Sequence, residues 1–440
     1  MYRKIVLDNG VRVVTERMPS AKSVTVGIWV NVGSRDEAKG EEGFSHFTEH
    51  MFFKGTRTRS AVQISREIDA LGGEMNAFTG RETTTFYVKV LDQHLAQALA
   101  LLSDLFHHAK FPSKEIEKEK QVVLEEVRMV EDDPEDLVQD WHMEQAFNGH
   151  PLGRPILGHA AVIKGLERSR LLDFVDAHYH PSETVISVAG NFHMKELVPL
   201  LNRCFGSFGK PKRPQLNRWS PAVHPGLYAR RKPLQQAHVC LGLKGLRLDH
   251  KDRYALYALN AAVGGSVSSR LFQEVREKRG LAYSIYSYAS SYSDTGTLTV
   301  YAATRPREAA RVIELVRREI RRFHRQGVEK KELQRVKDQI KGGLMLGVES
   351  TQSRMSKLAK DELYHGRHVS LEEMMTEINR ISADQILRLA HELFDSDSLS
   401  VTALGPISQR ALQSALNEFI AKCHFVLKSC TESRMAHYGK

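Results

Sequence analysis

Short apolar runs rich in β-branched residues punctuate the chain, separated by longer stretches in which apolar residues recur every three or four positions. Residues 11–14, 23–32 and 83–90 alternate or run apolar with valine, isoleucine and threonine, which predicts strands. Residues 238–243 and 297–303 repeat that signal in the second half. Helical spacing fills 101–126, but Phe111, Pro112 and Ser113 interrupt it, so a helix, a break and a long charged helix are expected. The same pairing recurs as 309–325, a break at Gln326 and Gly327, and 330–346. Towards the end of each half a helix leads into a strand and a glycine: 171–177 then 185–190, and 383–393 then 399–405. The offset between the two series stays near about 215 residues, a period that predicts duplicated domains rather than a solenoid.

The boundary between the copies falls in 210–233. Pro211, Pro214, Pro221, Pro225 and Pro233 break helices and central strands there, so an extended linker is expected. The predicted organisation is a domain at 1–209, the linker at 210–233, a homologous domain at 234–410 and a tail at 411–440. Strands interleaved with helix pairs predict an α/β fold of two similar domains, each a mixed sheet covered by helices. The pattern does not specify strand order.

Composition narrows the class. At 440 residues, 41% hydrophobic and 26% charged, with a mean hydropathy of −0.37, the chain has the make-up of a soluble globular protein. It is neither disordered, nor collagen-like, nor a disulfide scaffold. No apolar run reaches the roughly 18 residues of a membrane span, and the first residues lack a signal-peptide core, so a cytoplasmic protein without membrane contact is expected. Cys204, Cys240, Cys423 and Cys430 are widely spread and read as free thiols of a reducing compartment.

The net charge of +10 invites a nucleic-acid reading, but that reading rests on the sum alone. Residues 1–209 carry 24 basic and 30 acidic side chains; 210–232 carry seven basic and no acidic ones; 233–440 carry 32 and 23. The basicity is therefore arranged as an acidic first half and a basic second half, which favours assembly around a chamber at least as well as it favours binding to nucleic acid.

The sharpest chemical signal lies in 43–55. On a helix His46 and His50 are one turn apart on one face, with Glu49 beside them. Two imidazoles so placed can bind one Zn²⁺ while the carboxylate acts on its water as general base, and the order His-x-x-Glu-His inverts the commoner zincin motif. A third ligand must come from another element. In the charged helix Glu119 and Glu126 are seven residues apart and share a face, whereas Glu125 points about 100° away. Either of the pair could ligate while the other supports a ligating histidine. The acidic run 131–136 reads as a solvated loop, or as a preference for basic peptides if it lies near the site.

With Glu126 placed 76 residues beyond His50, the motif resembles the insulinase, pitrilysin and mitochondrial processing peptidase family. Residues 72–79, 150–158, 179–191 and 269–283 match its shorter members in order, so the resemblance covers about residues 1–410. It implies a zinc metalloendopeptidase with His46, His50 and Glu126 as ligands, Glu49 as general base and Glu119 as the supporting glutamate. It implies that Asn76, Ala77, Phe78 and Thr79 form the edge strand on which an extended peptide or unfolded segment is laid. Arg276 and Tyr283 match a pair that orients substrate and stabilises the oxyanion. Half-length members resemble half of a clamshell, which implies a dimer enclosing a chamber, a homodimer or a heterodimer with an inactive homologue. Displacing the metal motif by about 220 residues lands on 265–270, and the charged helix on Val336 and Gly343; none can ligate, so one Zn²⁺ per chain is expected.

Overall fold

The computed structural model describes residues 2–209, 216, 218–395 and 398–417. Part of the expected linker (210–215 and 217) and most of the expected tail (418–440, with Cys423 and Cys430) lie outside the described residues. The chain divides into two compact units. One contains Met1–Asp132, Gly149–Ser220 and Lys341–Met375; the other contains Asp133–Asn148, Pro221–Ile340 and Thr376–Lys440.

The first unit is built on β1 (Tyr2–Val6), β2 (Arg12–Arg17), β3 (Ser23–Val30), β4 (Glu74–Thr79), β5 (Thr84–Leu91) and β6 (Thr184–Gly190). They form one sheet in the order β1-β2-β6-β3-β5-β4. Only the β2–β6 pair is parallel. Period-two alternation in β3 sends Val24, Val26, Ile28 and Val30 to one face and Trp29 to the other. Helices α1 (Phe44–Phe52), α2 (Ala61–Ala70), α3 (Leu95–His108) and α4 (Ser113–Asp132) belong to this unit. Phe47, Phe52, Leu99, Leu102, Phe106 and Val123 join the core on the first of those faces. The expected break before α4 is present: buried Phe111 adopts a φ of 50° just ahead of Pro112.

The opposite face, formed by Val14, Trp29, Tyr87, Val185 and Ala189, is covered by Met355, Leu358 and Ala359 of the helix Thr351–Lys360. That helix comes from the second half of the sequence. Gly27 makes its close approach possible, since a Cβ there would lie 2.3 Å from the Met355 sulfur. Covering both faces explains why β6 is buried at every position and β3 at every position after Ser23.

The second unit holds β7 (Gly226–Arg231), β8 (Ala237–Lys244), β9 (Ala282–Ser291), β10 (Gly296–Thr304) and β11 (Ser400–Gly405), in the order β7-β11-β8-β10-β9. Here β7 and β11 are the parallel pair, so the sheet repeats β2-β6-β3-β5-β4, with no equivalent of β1 among the described residues. Strand β7 lies within the stretch read as linker: 226–231 is free of proline and pairs with β11. Helix α5 (Pro134–Ala146) packs on β8 and β11, with Val138 among Cys240, Tyr301, Ala303 and Leu404. The acidic run 131–136 is therefore not a loop. Helix α4 ends at Asp132, and Asp133 caps α5 by accepting from the Glu135 and Asp136 amides at 2.8 and 3.1 Å.

Candidate metal centre

Helix α1 owes its orientation to its apolar stripe. Phe44, Phe47, Met51 and Phe52 are buried, which turns His46, Glu49 and His50 to the opposite face. Its N-terminus is fixed by Glu37, whose buried carboxylate accepts from the amides of Gly43 at 2.9 Å and Ser45 at 2.8 Å. Gly43 begins the helix at a φ of 98°, and a Cβ there would lie 2.6 Å from the Leu157 carbonyl oxygen. Burial pushes the Glu37 carboxyl up to about 8, against the pull of those amides and of Arg154.

The His46 and His50 rings meet edge to face with centroids 4.6 Å apart. Both Nε2 atoms lie 3.7 Å from Glu126 Oε2, contributed by α4. That distance is too long for a hydrogen bond. It is close to the roughly 3.4 Å separating two ligands that each sit about 2.0–2.1 Å from a tetrahedral Zn²⁺. Glu126 Oε2 is itself buried without a hydrogen-bond partner. A divalent cation between the three atoms would satisfy it, so the residues present fit such a metal. Among the described residues no other trio of histidine, cysteine, aspartate or glutamate side chains clusters in this way.

Glu119, one helical face with Glu126, has a different task. Its Oε1 bonds His50 Nδ1 at 2.8 Å and its Oε2 pairs with Lys54 Nζ at 2.6 Å. Helical spacing alone left open which glutamate faces the histidines, and the geometry puts Glu126 against the Nε2 atoms and Glu119 behind His50, the arrangement that the resemblance implied. Glu125 points away into an exposed pair with Arg128. Burial holds the His46 ring down to about 3, helped by the neighbouring His50. Burial also opposes charge on His50, but the Glu119 hydrogen bond and the carboxylates of Glu126, Glu119 and Glu49 outweigh it and raise its pKa. Burial opposes ionisation of Glu119 as well, and the bonds from His50 and Lys54 overcome it, lowering its pKa.

Glu49 is half-buried. Burial raises its pKa, partly offset by the Thr79 hydroxyl, which donates to Glu49 Oε2 at 2.5 Å. Thr79 ends β4, the edge strand of the sheet, which pairs only with β5 among the described residues. On β4, Asn76 accepts from the Ala77 amide, and the exposed Phe78 ring meets Trp29 edge to face at 5.4 Å. The structure thus gathers His46, Glu49, His50, Glu119, Glu126 and Thr79 into one site. Arg276 and Tyr283 belong to the second unit, where they touch each other: the guanidinium lies 5.3 Å from the Tyr283 ring and 4.7 Å from that of Phe272. Arg276 sits in a π-helical turn, Phe272–Glu277, and Tyr283 is 79% exposed.

Sequence reasoning missed Lys54, Glu37 and Arg218. Lys54 carried a usable signal, four residues after His50. Arg218 carried none, because the prolines around it suggest a solvated basic run. In fact its guanidinium forks onto both Asp36 oxygens at 2.7 Å and bonds the Glu82 carbonyl, next to the buried Arg35–Glu82 pair.

Fold and site together describe a duplicated α/β protein in which two histidines and a glutamate form a trio able to hold a metal ion, with the Glu49 carboxylate beside it. The model of the family described as Insulinase (Peptidase family M16) matches residues 12–160, and that of the Peptidase M16 inactive domain matches 165–340. A protein of Bacillus subtilis named an uncharacterised zinc protease, YmxG, is 43% identical over 398 residues, 90% of this chain and 97% of its own. A Mycobacterium tuberculosis protein, also named an uncharacterised zinc protease, is 39% identical over 423 residues, covering 95% of this chain and 96% of its own. Among solved structures, a protease from Helicobacter pylori superposes with a TM-score of 0.87 at 23% identity, over 92% of this chain and 99% of that one. A peptidase M16 inactive domain from Pseudomonas fluorescens gives 0.86 at 20%, over 93% and 98%. These two likenesses are of fold. The chain belongs to peptidase family M16.

Proposed function

We propose that this chain is a zinc metalloendopeptidase that cuts peptides or unfolded segments laid as an extended strand along β4. The observation that carries this is the placement of both histidine Nε2 atoms 3.7 Å from a buried, partnerless Glu126 oxygen, with Glu49 alongside. The zinc in the relatives' names agrees with that donor set. His46, His50 and Glu126 would hold Zn²⁺, one per chain. Bound there, the ion supplies a Lewis acid that polarises the scissile carbonyl and acidifies water. Glu119 fixes the His50 ring by holding its Nδ1 proton. Glu49 takes the proton from the attacking water and returns it to the leaving amine nitrogen.

The peptide is received by main-chain pairing with Asn76, Ala77, Phe78 and Thr79, which accounts for a loose sequence preference. Arg276 and Tyr283 orient substrate and donate to the oxyanion, and the working form is a dimer, most simply a homodimer, enclosing a chamber. The free thiols of Cys204 and Cys240 fit a cytoplasmic setting. No helix among the described residues is long and apolar enough to cross a membrane.

The test is Glu49→Gln. Peptide hydrolysis falls by at least about 100-fold while zinc stays at one per chain, because a general base contributes about 10²–10⁴-fold and the amide touches no ligand. Loss of zinc from that variant, or undiminished hydrolysis, overturns the role of Glu49.

A further inference from the structure

We propose that Thr79 is the positioning residue of Glu49: its hydroxyl fixes which carboxylate oxygen moves the proton and ties that carboxylate to the strand that receives the peptide. The inference rests on the function proposed above and adds a role to a residue placed there only as part of the substrate edge.

Strand β4 alternates between exposed Glu74, Asn76 and Phe78 and half-buried Met75, Ala77 and Thr79, the second set lying on the face that α1 covers. Thr79 is the last of that set, and its Oγ1 donates its single proton to Glu49 Oε2. Glu49 Oε1 accepts no hydrogen bond among the described residues. One oxygen is therefore tethered, and the other is left to take the proton from water.

Tethering positions the carboxylate only if the strand end is rigid, and several bonds make it so. Thr79 lies opposite Thr84, a fully buried residue whose hydroxyl donates to the Val32 carbonyl at 2.9 Å. The turn that follows is closed by the Gly80 amide on the Thr83 carbonyl at 2.7 Å. It is further held by the Ser34 and Arg35 amides, which donate to the Gly80 and Arg81 carbonyls. Buried Arg35 pairs with Glu82 at 2.7 Å in the same turn. A side chain on so fixed a backbone holds its partner to the fraction of an ångström that proton transfer requires. The same strand pairs with the peptide through its other edge, so the distance from scissile bond to base is set within one element.

The experiment compares Thr79→Val, Thr79→Ser and Thr79→Ala with the parent enzyme and Glu49→Gln, using one unstructured peptide and measuring kcat, KM, bound zinc and the thermal midpoint. Valine keeps the shape and β-branching but cannot donate. The expected result for Thr79→Val is a kcat lower by about 10- to 100-fold with KM within about threefold and zinc at one per chain. Thr79→Ser, which keeps the donor, stays within about threefold of the parent in kcat, and Thr79→Ala behaves as the valine variant does. The proposal is overturned if Thr79→Val turns over at the parent rate, if serine is as slow as valine, or if the loss is in KM alone. Should the valine variant not fold, the serine and alanine variants decide by the same criterion. If Glu49→Gln hydrolyses normally, the base assignment fails and Thr79 falls with it. If Glu49→Gln is inactive and Thr79→Val is not impaired, only the role of Thr79 fails.

Discussion

Lys54 is linked to the proposed metal centre at two removes. Its ammonium pairs with Glu119 Oε2, whose other oxygen holds His50 Nδ1, so a charge one residue beyond α1's C-cap orients an imidazole inside it. Glu119 is 4% exposed, and without the lysine its second oxygen would face a desolvated pocket. Lys54→Met is expected to weaken zinc binding by about 10- to 100-fold, as loss of a partner behind a ligand commonly does. Competition with a chelator of known affinity measures this directly, and an unchanged zinc dissociation constant would refute it. Much of the centre was legible at this scale. The i, i+4 spacing of His46 and His50 and the shared face of Glu119 and Glu126 were both visible in one dimension. The division of labour between the two glutamates was not visible in that spacing and came from the family resemblance alone, because each lies on the correct face and only the approach of α4 to α1 decides which oxygen meets which ring nitrogen. Arg218 was illegible for a related reason: its carboxylate partner lies 182 residues away.

Strands and helices were legible one at a time, but their assignment to sheets was not. Helix α5 and the helix Thr351–Lys360 each cover the sheet of the unit built mainly from the other half of the sequence. An apolar helix face looks the same in sequence whichever sheet it covers, so periodicity carries no information about such an exchange. Edge strand β4 was legible only through the family resemblance, because its polar–apolar alternation covers just Glu74–Ala77 and then breaks at Phe78 and Thr79. The seating of α5 has a measurable consequence. His142 is fully buried there, its Nδ1 bonded to the Thr402 hydroxyl at 3.0 Å, and burial holds its pKa down to about 4. The unfolded chain takes up a proton near the ordinary value of about 6.5, whereas the folded ring resists it. Stability from the neutral ring is therefore complete above about pH 6.5 and declines as pH falls towards 4, by up to about 3 kcal/mol. His142→Gln removes the titration and should flatten that part of the profile. Urea midpoints at pH 7 and pH 4.5 test this, and equal acid sensitivity in both proteins would exclude His142 as its source.

The exchange of helices also changes what the net charge means for the whole molecule. Divided at the linker, the chain has an acidic half and a basic half, an arrangement suited to electrostatic assembly. Divided by the units that fold, the count is 33 basic against 30 acidic side chains in the first and 30 against 23 in the second. Both are mildly positive, because Asp133, Glu135, Asp136, Asp140 and Glu144 leave with α5 while Arg354, Lys357 and Lys360 enter with the covering helix. The opposition of sign that favoured charge-driven pairing is a property of the sequence order and not of the folded units. The proposed dimer must then rest on packing and local pairing rather than on attraction between oppositely charged bodies, which is screened over a Debye length of about 10 Å at 0.1 M salt. Sedimentation of the zinc-loaded protein at 50 mM and 500 mM salt is expected to give dimer dissociation constants within about tenfold of each other, since few net charges are neutralised on association. A dimer that dissolves on raising the salt would restore the electrostatic account. A monomer that is fully active at nanomolar concentration would remove the dimer from the mechanism altogether.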